Sequence, residues 1–186
     1  MYFIKSTDSF RSCAAKAGLK NEDLTLKTEG LLAVPLETQR ELLRPEIAEV
    51  VKAYNTEEDK RRRIEQHAKS RGKTLRFRRQ LGIIYLEGAL PPRGRVYVVI
   101  VVPPPPQALS DGATAASSAL SGGAQETGDH RFYEVVIQKS AGEDRAVTLQ
   151  IGDVLQLDED ESMKAAGGGI ALIVLNYDVI QENHDH

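Results

Sequence analysis

The sequence contains no tryptophan and one cysteine, Cys13, and aromatic residues make up only 5% of its 186 residues. A single cysteine cannot form an intrachain disulfide, so the fold needs no oxidising compartment. It also excludes a cysteine-rich zinc or iron–sulfur site. Because aromatic rings are scarce, the core must consist mainly of Val, Ile, Leu and Ala, which suits thin β-layers.

Long apolar segments are also missing. The first five residues lack the apolar stretch of a signal peptide, and the longest apolar run, residues 96–106, is too short to span a bilayer. We therefore expect a protein that is made in the cytoplasm and has no membrane partner.

Motifs for phosphate binding and nucleophilic catalysis are absent as well. The run Gly72-Lys73-Thr74 matches the end of a phosphate-binding loop, but His67 stands where the first glycine of that motif is required. No Gly-x-Ser-x-Gly elbow is present. We expect no cofactor and no catalysis, and an enzyme with a site assembled from dispersed residues is the third of our hypotheses.

One spacing suggests a cation site. Asp158, Asp160 and Ser162 match the first positions of a calcium loop, whereas Met163 and Gly169 replace the Gly and Glu that the loop requires. This rejects an EF-hand and leaves a weak, irregular calcium site as an alternative to a simple acidic loop. We expect no metal.

Charge is present in two opposite blocks, although the net charge is only −3. Residues 60–79 carry ten bases against one acid, giving +9, and residues 153–186 carry eight acids against one base, giving −7. Such asymmetry indicates a charged partner, unless the two blocks neutralise each other within one fold or between subunits. The candidate contacts for nucleic acid or an acidic partner are Arg61, Arg62, Arg63, Lys69, Arg71, Lys73, Arg76, Arg78 and Arg79.

The first third of the chain has helical patterns. Thr7 and Asp8 can start a helix that stops near Gly18, and Pro35 can open another. Pro45 suits the first position of a helix with the apolar stripe Ile47, Val50, Val51 and Tyr54. A basic helix then runs to Gly72. We predict a helical N-terminal region over residues 1–72.

The rest of the chain has strand patterns. Residues 83–86 and 96–102 are continuous apolar runs, typical of strands buried on both faces, and residues 147–151 alternate. The Pro-, Ala- and Ser-rich segment 103–129 predicts a long, mobile, disordered-like loop. Residues 158–169 read as an acidic, then glycine-rich, loop. Six or seven strands without intervening helices predict an antiparallel β-sandwich over residues 73–186, of jelly-roll type.

One stretch resembles a known class of module. Residues 148–157 (TLQIGDVLQL) and 169–177 (GIALIVLNY) are similar to the closing strands of β-sandwich modules in bacteriophage and other virion surface proteins. The resemblance implies a self-assembling or surface-displayed sandwich and a place in a virion, and it carries over no site residues.

These observations predict an α+β fold and a non-catalytic structural or assembly protein that forms a homo-oligomer or joins a larger protein assembly. The alternative is a nucleic-acid-binding module that uses residues 60–79.

Overall fold

The computed structural model describes residues 1–18, 26–28, 31–33, 45–56, 60–91, 94–105, 131–140, 142–166 and 169–181. Within these residues the helices are α1 (Asp8–Ala15), α2 (Pro45–Thr56) and α3 (Lys60–Lys69). The strands are β1 (Tyr2–Ile4), β2 (Leu26–Thr28), β3 (Leu31–Ala33), β4 (Lys73–Leu86), β5 (Ala89–Leu90), β6 (Val96–Val102), β7 (Phe132–Lys139), β8 (Arg145–Gln150), β9 (Val154–Leu157), β10 (Glu161–Ala165) and β11 (Ile170–Gln181).

The strands form two antiparallel sheets. The larger has seven strands in the order β1-β9-β6-β11-β4-β3-β2, and the smaller has four in the order β5-β10-β7-β8. The fold is therefore α+β with a β-rich core. The last strand, β11, lies in the middle of the large sheet between β4 and β6.

Local sequence explains where the helices begin and end. The Thr7 hydroxyl caps α1 by accepting a hydrogen bond from the Phe10 amide at 3.3 Å. Pro45 is the first residue of α2, where its missing N–H costs nothing. After α3, Gly72 takes a left-handed conformation with φ +71°, which stops the helix.

The core is one continuous cluster that joins the helices to both sheets. Every residue of β6 is buried, as expected for a strand covered on both faces. The small sheet contributes inward side chains such as Tyr133, Val135 and Leu149 to the same cluster. On the helices, Ile47, Val50 and Tyr54 are buried at helical spacing, which confirms the stripe predicted for α2.

Two predictions need correction. The acidic loop predicted over residues 158–169 contains strand β10, because Glu161, Met163 and Ala165 alternate as buried residues against β7. The sandwich was expected from six or seven strands, whereas eight of the described strands, β4 to β11, lie within residues 73–186, and the N-terminal region, expected to be helical, supplies three more, β1, β2 and β3. The division into regions 1–72 and 73–186 stays a prediction, and β1 pairs across it with β9.

Two other expectations fall mostly outside the described residues: the helix opened by Pro35 and the mobile loop 103–129. Of that loop only residues 103–105 are described, and Pro104 and Pro105 are buried there. The expectation of a mobile surface loop over residues 103–129 stays a prediction.

Candidate functional site

The basic segment follows α3 and the start of β4. Of the nine predicted contact residues, Arg62, Arg63, Lys69, Arg71 and Arg76 are exposed. On α3, Ile64 and Ala68 turn inward, so the face with Arg63 and Lys69 is left to solvent. Arg78 and Arg79 lie where β4 has extra residues relative to β11, and their side chains are outside the described part.

Other cations of this segment are used inside the fold. Lys60 is fully buried, with its Nζ atom 4.3 Å from the centroid of the Phe10 ring. Arg61 donates through Nε to Glu65 at 2.8 Å, one helical turn away, and its guanidinium lies 5.8 Å from the Phe77 ring centroid. The contacts of Lys60 with Phe10 and of Arg61 with Phe77 hold α3 against the core.

Arg71 and Lys73 contact the acidic block. Arg71 forms an ion pair with Asp158, and Lys73 forms one with Glu159. For these residues the opposite charges neutralise each other within the fold, which was the alternative to a charged partner.

Asp158 is the centre of a polar cluster. Its side chain is 2% exposed, and it accepts hydrogen bonds from Arg71, from the Met1 ammonium at 3.1 Å and from Gln156 Nε2 at 3.3 Å. Burial acts to raise the pKa of the Asp158 carboxyl, but the bonds from Arg71 and the ammonium outweigh it and hold this pKa below its usual value. Glu161 binds the same ammonium at 2.8 Å. The carboxyl is thus ionised and fully engaged.

His67 borders this cluster. Its ring stacks on Tyr2 at 4.4 Å between centroids and 13° between planes, and its Nε2 atom is buried with no hydrogen-bond partner among the described residues. Burial lowers the pKa of His67, and the positive charge of Arg71 lowers it further. His67 therefore acts as a neutral packing ring.

The acids of the second block are largely paired. Besides Asp158 and Glu159, Asp160 lies 3.7 Å from Lys139 and Asp178 lies 3.8 Å from Arg95. Asp153 accepts hydrogen bonds from the amides of Ser6 and Gln150. In the described part of the chain, no group of three or more His, Cys, Asp or Glu residues is placed to hold a metal ion. Asp158 and Ser162, two positions of the irregular calcium site considered as an alternative, belong to an ion pair and to strand β10 respectively.

The position of β8 at one edge of the small sheet was not predicted from the sequence. Strand β8 pairs with β7 on one side, and no described strand pairs with its other side. Arg145, Ala146 and Thr148 are exposed. The alternation of β8 predicts its buried face, but an edge position depends on strand order, which a local pattern does not contain.

Comparisons with known proteins add little. No model of a protein family matches the chain, and no curated protein matches it. The crystal structure of the CENP-C cumin domain of Drosophila melanogaster is similar over 56% of this chain and 67% of that one, at 12% identity and a TM-score of 0.31. A TM-score this low carries no argument. Within the described residues, no helix has the length and apolar character needed to cross a bilayer.

Proposed function

We propose that the protein is a non-catalytic structural or assembly protein that associates with copies of itself. The observation that supports this is the exposed edge strand β8, whose central residues Ala146, Val147 and Thr148 carry no charge. Edge strands are usually protected by charge, proline or a covering segment, because their free N–H and C=O groups pair readily with other strands. An edge left uncharged suits pairing between chains.

We also propose that the two sheets pack face to face as a jelly-roll-like sandwich. The inward residues of the small sheet share one buried cluster with the large sheet, and β6 is buried along its whole length. Both observations support the proposal that the two sheets face each other.

The resemblance of residues 148–177 to modules of virion surface proteins supports the same proposal, with the virion as the larger assembly. Complementary charge blocks give less support, since the acidic block is largely paired within the chain. We therefore expect an oligomer held by strand pairing and not by long-range charge attraction.

The test is the solution mass, measured by light scattering at low and at high salt over a range of concentrations. A defined oligomer that persists at high salt is the expected result, because backbone pairing is little screened. A monomer at both salts and all concentrations contradicts self-association.

The exposed face of α3 favours nucleic-acid binding as the second candidate function. Arg63 and Lys69 are exposed on α3, Arg76 is exposed on the following strand β4, and the one acid of the segment, Glu65, is bound to Arg61. Phosphate contacts by such side chains bind without sequence preference and weaken steeply with salt.

The test of this candidate is a double charge reversal, Arg63→Glu with Lys69→Glu, with the exposed Lys164 on β10 reversed to Glu as the control. Binding to single- and double-stranded DNA is measured by fluorescence anisotropy as salt rises. If nucleic acid is the partner, the double variant loses affinity about tenfold or more and the salt slope falls by about two, while Lys164→Glu changes little. Salt-independent binding, or none in the parent protein, removes this candidate.

A further inference from the structure

We infer that the free edge of β8 is the pairing surface for the β8 strand of a second copy, in an antiparallel register that places Ala146 opposite Thr148. This inference rests on the proposed self-association and specifies its interface.

Three hydrogen bonds fix the direction in which the backbone groups of β8 point. The Gln150 amide donates to the Asp153 carboxylate at 2.9 Å, and the Gln150 carbonyl accepts from the Asp153 amide at 3.0 Å, so both groups of Gln150 point away from β7. On the other side of β7, the Glu134 carbonyl accepts from the Ala166 amide at 2.9 Å and so points away from β8. Glu134 is opposite Thr148, and Phe132 is opposite Gln150. The two residues in each of these pairs therefore exchange no hydrogen bonds with each other.

In an antiparallel ladder, residues that bond to the partner strand alternate with residues that do not. This alternation gives the direction of the backbone groups of the other residues of β8. Arg145, Val147 and Leu149 bond to β7, whereas Ala146 and Thr148 direct their N–H and C=O groups to the free edge. Because Asp153 occupies the groups of Gln150, the free edge consists of four backbone groups on two residues. Among the described residues nothing bonds to them.

An antiparallel second copy can satisfy all four groups with residues of β8 (Arg145–Gln150) alone in one register. With a two-fold axis through Val147, Ala146 of each chain faces Thr148 of the other, and each facing pair exchanges two hydrogen bonds. If the register moves by two residues, Thr148 faces its own copy and Ala146 faces Gln150, whose groups are already bound to Asp153. A move the other way brings Ala146 opposite its own copy and leaves Thr148 facing Asp144.

Side chains allow this register. Ala146 and Thr148 are exposed and small, so two chains can approach to strand spacing. Arg145 faces Leu149 of the second copy and Val147 faces Val147, so no like charges are opposed. The joined small sheets then form one continuous sheet of eight strands.

Site-specific crosslinking in the full chain tests the register. On a Cys13→Ser background, a chain with Ala146→Cys is mixed with a chain carrying Thr148→Cys, and each is also oxidised alone. Facing residues lie about 5.5 Å apart between Cα atoms, within disulfide range, whereas identical residues lie diagonally and farther apart. We expect the mixture to form a covalent dimer at least about fivefold more efficiently than either chain alone, with the 146–148 linkage seen by mass spectrometry.

A proline variant tests the backbone contacts directly. Thr148→Pro removes an N–H that points to the free edge and none that bonds to β7. The control, Thr148→Val, keeps this N–H. The dissociation constant of the dimer should rise about tenfold or more with proline and change little with valine. Thermal unfolding reports whether the proline variant is folded, and if it is not, the crosslinking still decides.

Each outcome separates the inference from the proposed function. A monomeric parent protein removes both. An oligomer without the 146–148 linkage, or one that links best through identical cysteines, overturns the β8 register and leaves self-association intact. Amide hydrogen exchange adds one more outcome: protection of Ala146 and Thr148 that persists at dilutions where the protein is monomeric would mean that another segment of the same chain covers the edge, which also overturns the inference.

Discussion

At the scale of single residues, Asp158 shows how a buried charge is kept ionised. Its carboxyl is 2% exposed and receives Arg71 and the Met1 ammonium. These partners hold its pKa below the ordinary 3.8. A group with a lowered folded-state pKa stabilises the fold above its unfolded pKa, and this contribution is lost as pH falls through the folded value.

The first prediction follows for Asp158→Asn. Near neutral pH the variant should be less stable than the parent protein, and the difference should shrink as pH falls below about 3.8. Urea unfolding at a series of pH values measures this. Asp160→Asn is the matched control, because Asp160 is 46% exposed and its ion pair with Lys139 is 3.7 Å long. A difference independent of pH down to the most acid point contradicts the assignment.

Tyr54 and Tyr177 give the second prediction. Their hydroxyls lie 3.1 Å apart in the core, where burial raises the pKa of both. Tyr54→Phe leaves one buried hydroxyl without its partner and should cost about 1–3 kcal/mol in the free energy of unfolding. The double variant Tyr54→Phe with Tyr177→Phe should cost less than the sum of the single changes. Denaturant unfolding checks this, and strict additivity would show that the two hydroxyls are not coupled.

Which single residues make such contacts could be predicted only in part. The stripe that includes Tyr54 is visible in the sequence, and so is the basic run that includes Arg71. That Tyr54 meets Tyr177, or that Arg71 meets Asp158, depends on residues more than eighty positions apart. Local periodicity carries no information about such pairs.

At the scale of elements, the turn between β8 and β9 depends on Gly152. Its φ is +84°, and a Cβ atom there would lie 2.9 Å from the Cα atom of Arg11 and 2.5 Å from the Ser6 hydroxyl. Ser6 can rotate away, but the backbone of α1 cannot move so easily. The glycine therefore permits both the turn and the close approach of α1.

The third prediction compares two glycines. Gly152→Ala combines a left-handed conformation with a clash, whereas Gly94→Ala, at φ +63°, has nothing within 4 Å of the added methyl group. We expect about 1 kcal/mol of destabilisation at Gly94 and at least about 1–3 kcal/mol more at Gly152. Thermal or denaturant unfolding measures both, and equal costs would show that α1 yields without strain.

Elements with a strong period were predictable and those without it were not. Strand β6 is a continuous apolar run and α2 has a clean stripe, and both form where the sequence indicates. Strand β10 was missed because the polar residue Glu161 occupies one of its buried positions, so the sequence does not show a regular alternation of apolar and polar residues. That glutamate is tolerated inside because the Met1 ammonium and the Asp158 amide bind it.

At the scale of the whole molecule, the helices and the sheets depend on one another. Strand β1 completes an edge of the large sheet by pairing with β9, and each of the three helices contributes buried residues, such as Phe10, Val50 and Ile64, to the same core cluster as β6. Removing residues 1–72 would uncover apolar β-strand surface.

The fourth prediction is that a fragment of residues 73–186 does not fold cooperatively. We expect the fragment to show weak thermal transitions and to bind more of a hydrophobic dye than the full chain does. Adding a peptide of residues 1–72 should restore part of the structure. A fragment with a sharp transition close to that of the full chain would show instead that the boundary near residue 72 separates independent domains.

The position of β11 also governs the order in which the sheet can form. This strand follows every strand that it joins, yet it lies between β4 and β6 and bonds to both along most of its length. Until residues 170–181 have emerged from the ribosome, β4 and β6 have no partner between them, and their open edges include the apolar residues 83–86 of β4 and the whole of β6. Nascent chains of this protein are thus exposed to wrong pairing until β11 has emerged, and we expect this topology to increase their need for chaperones.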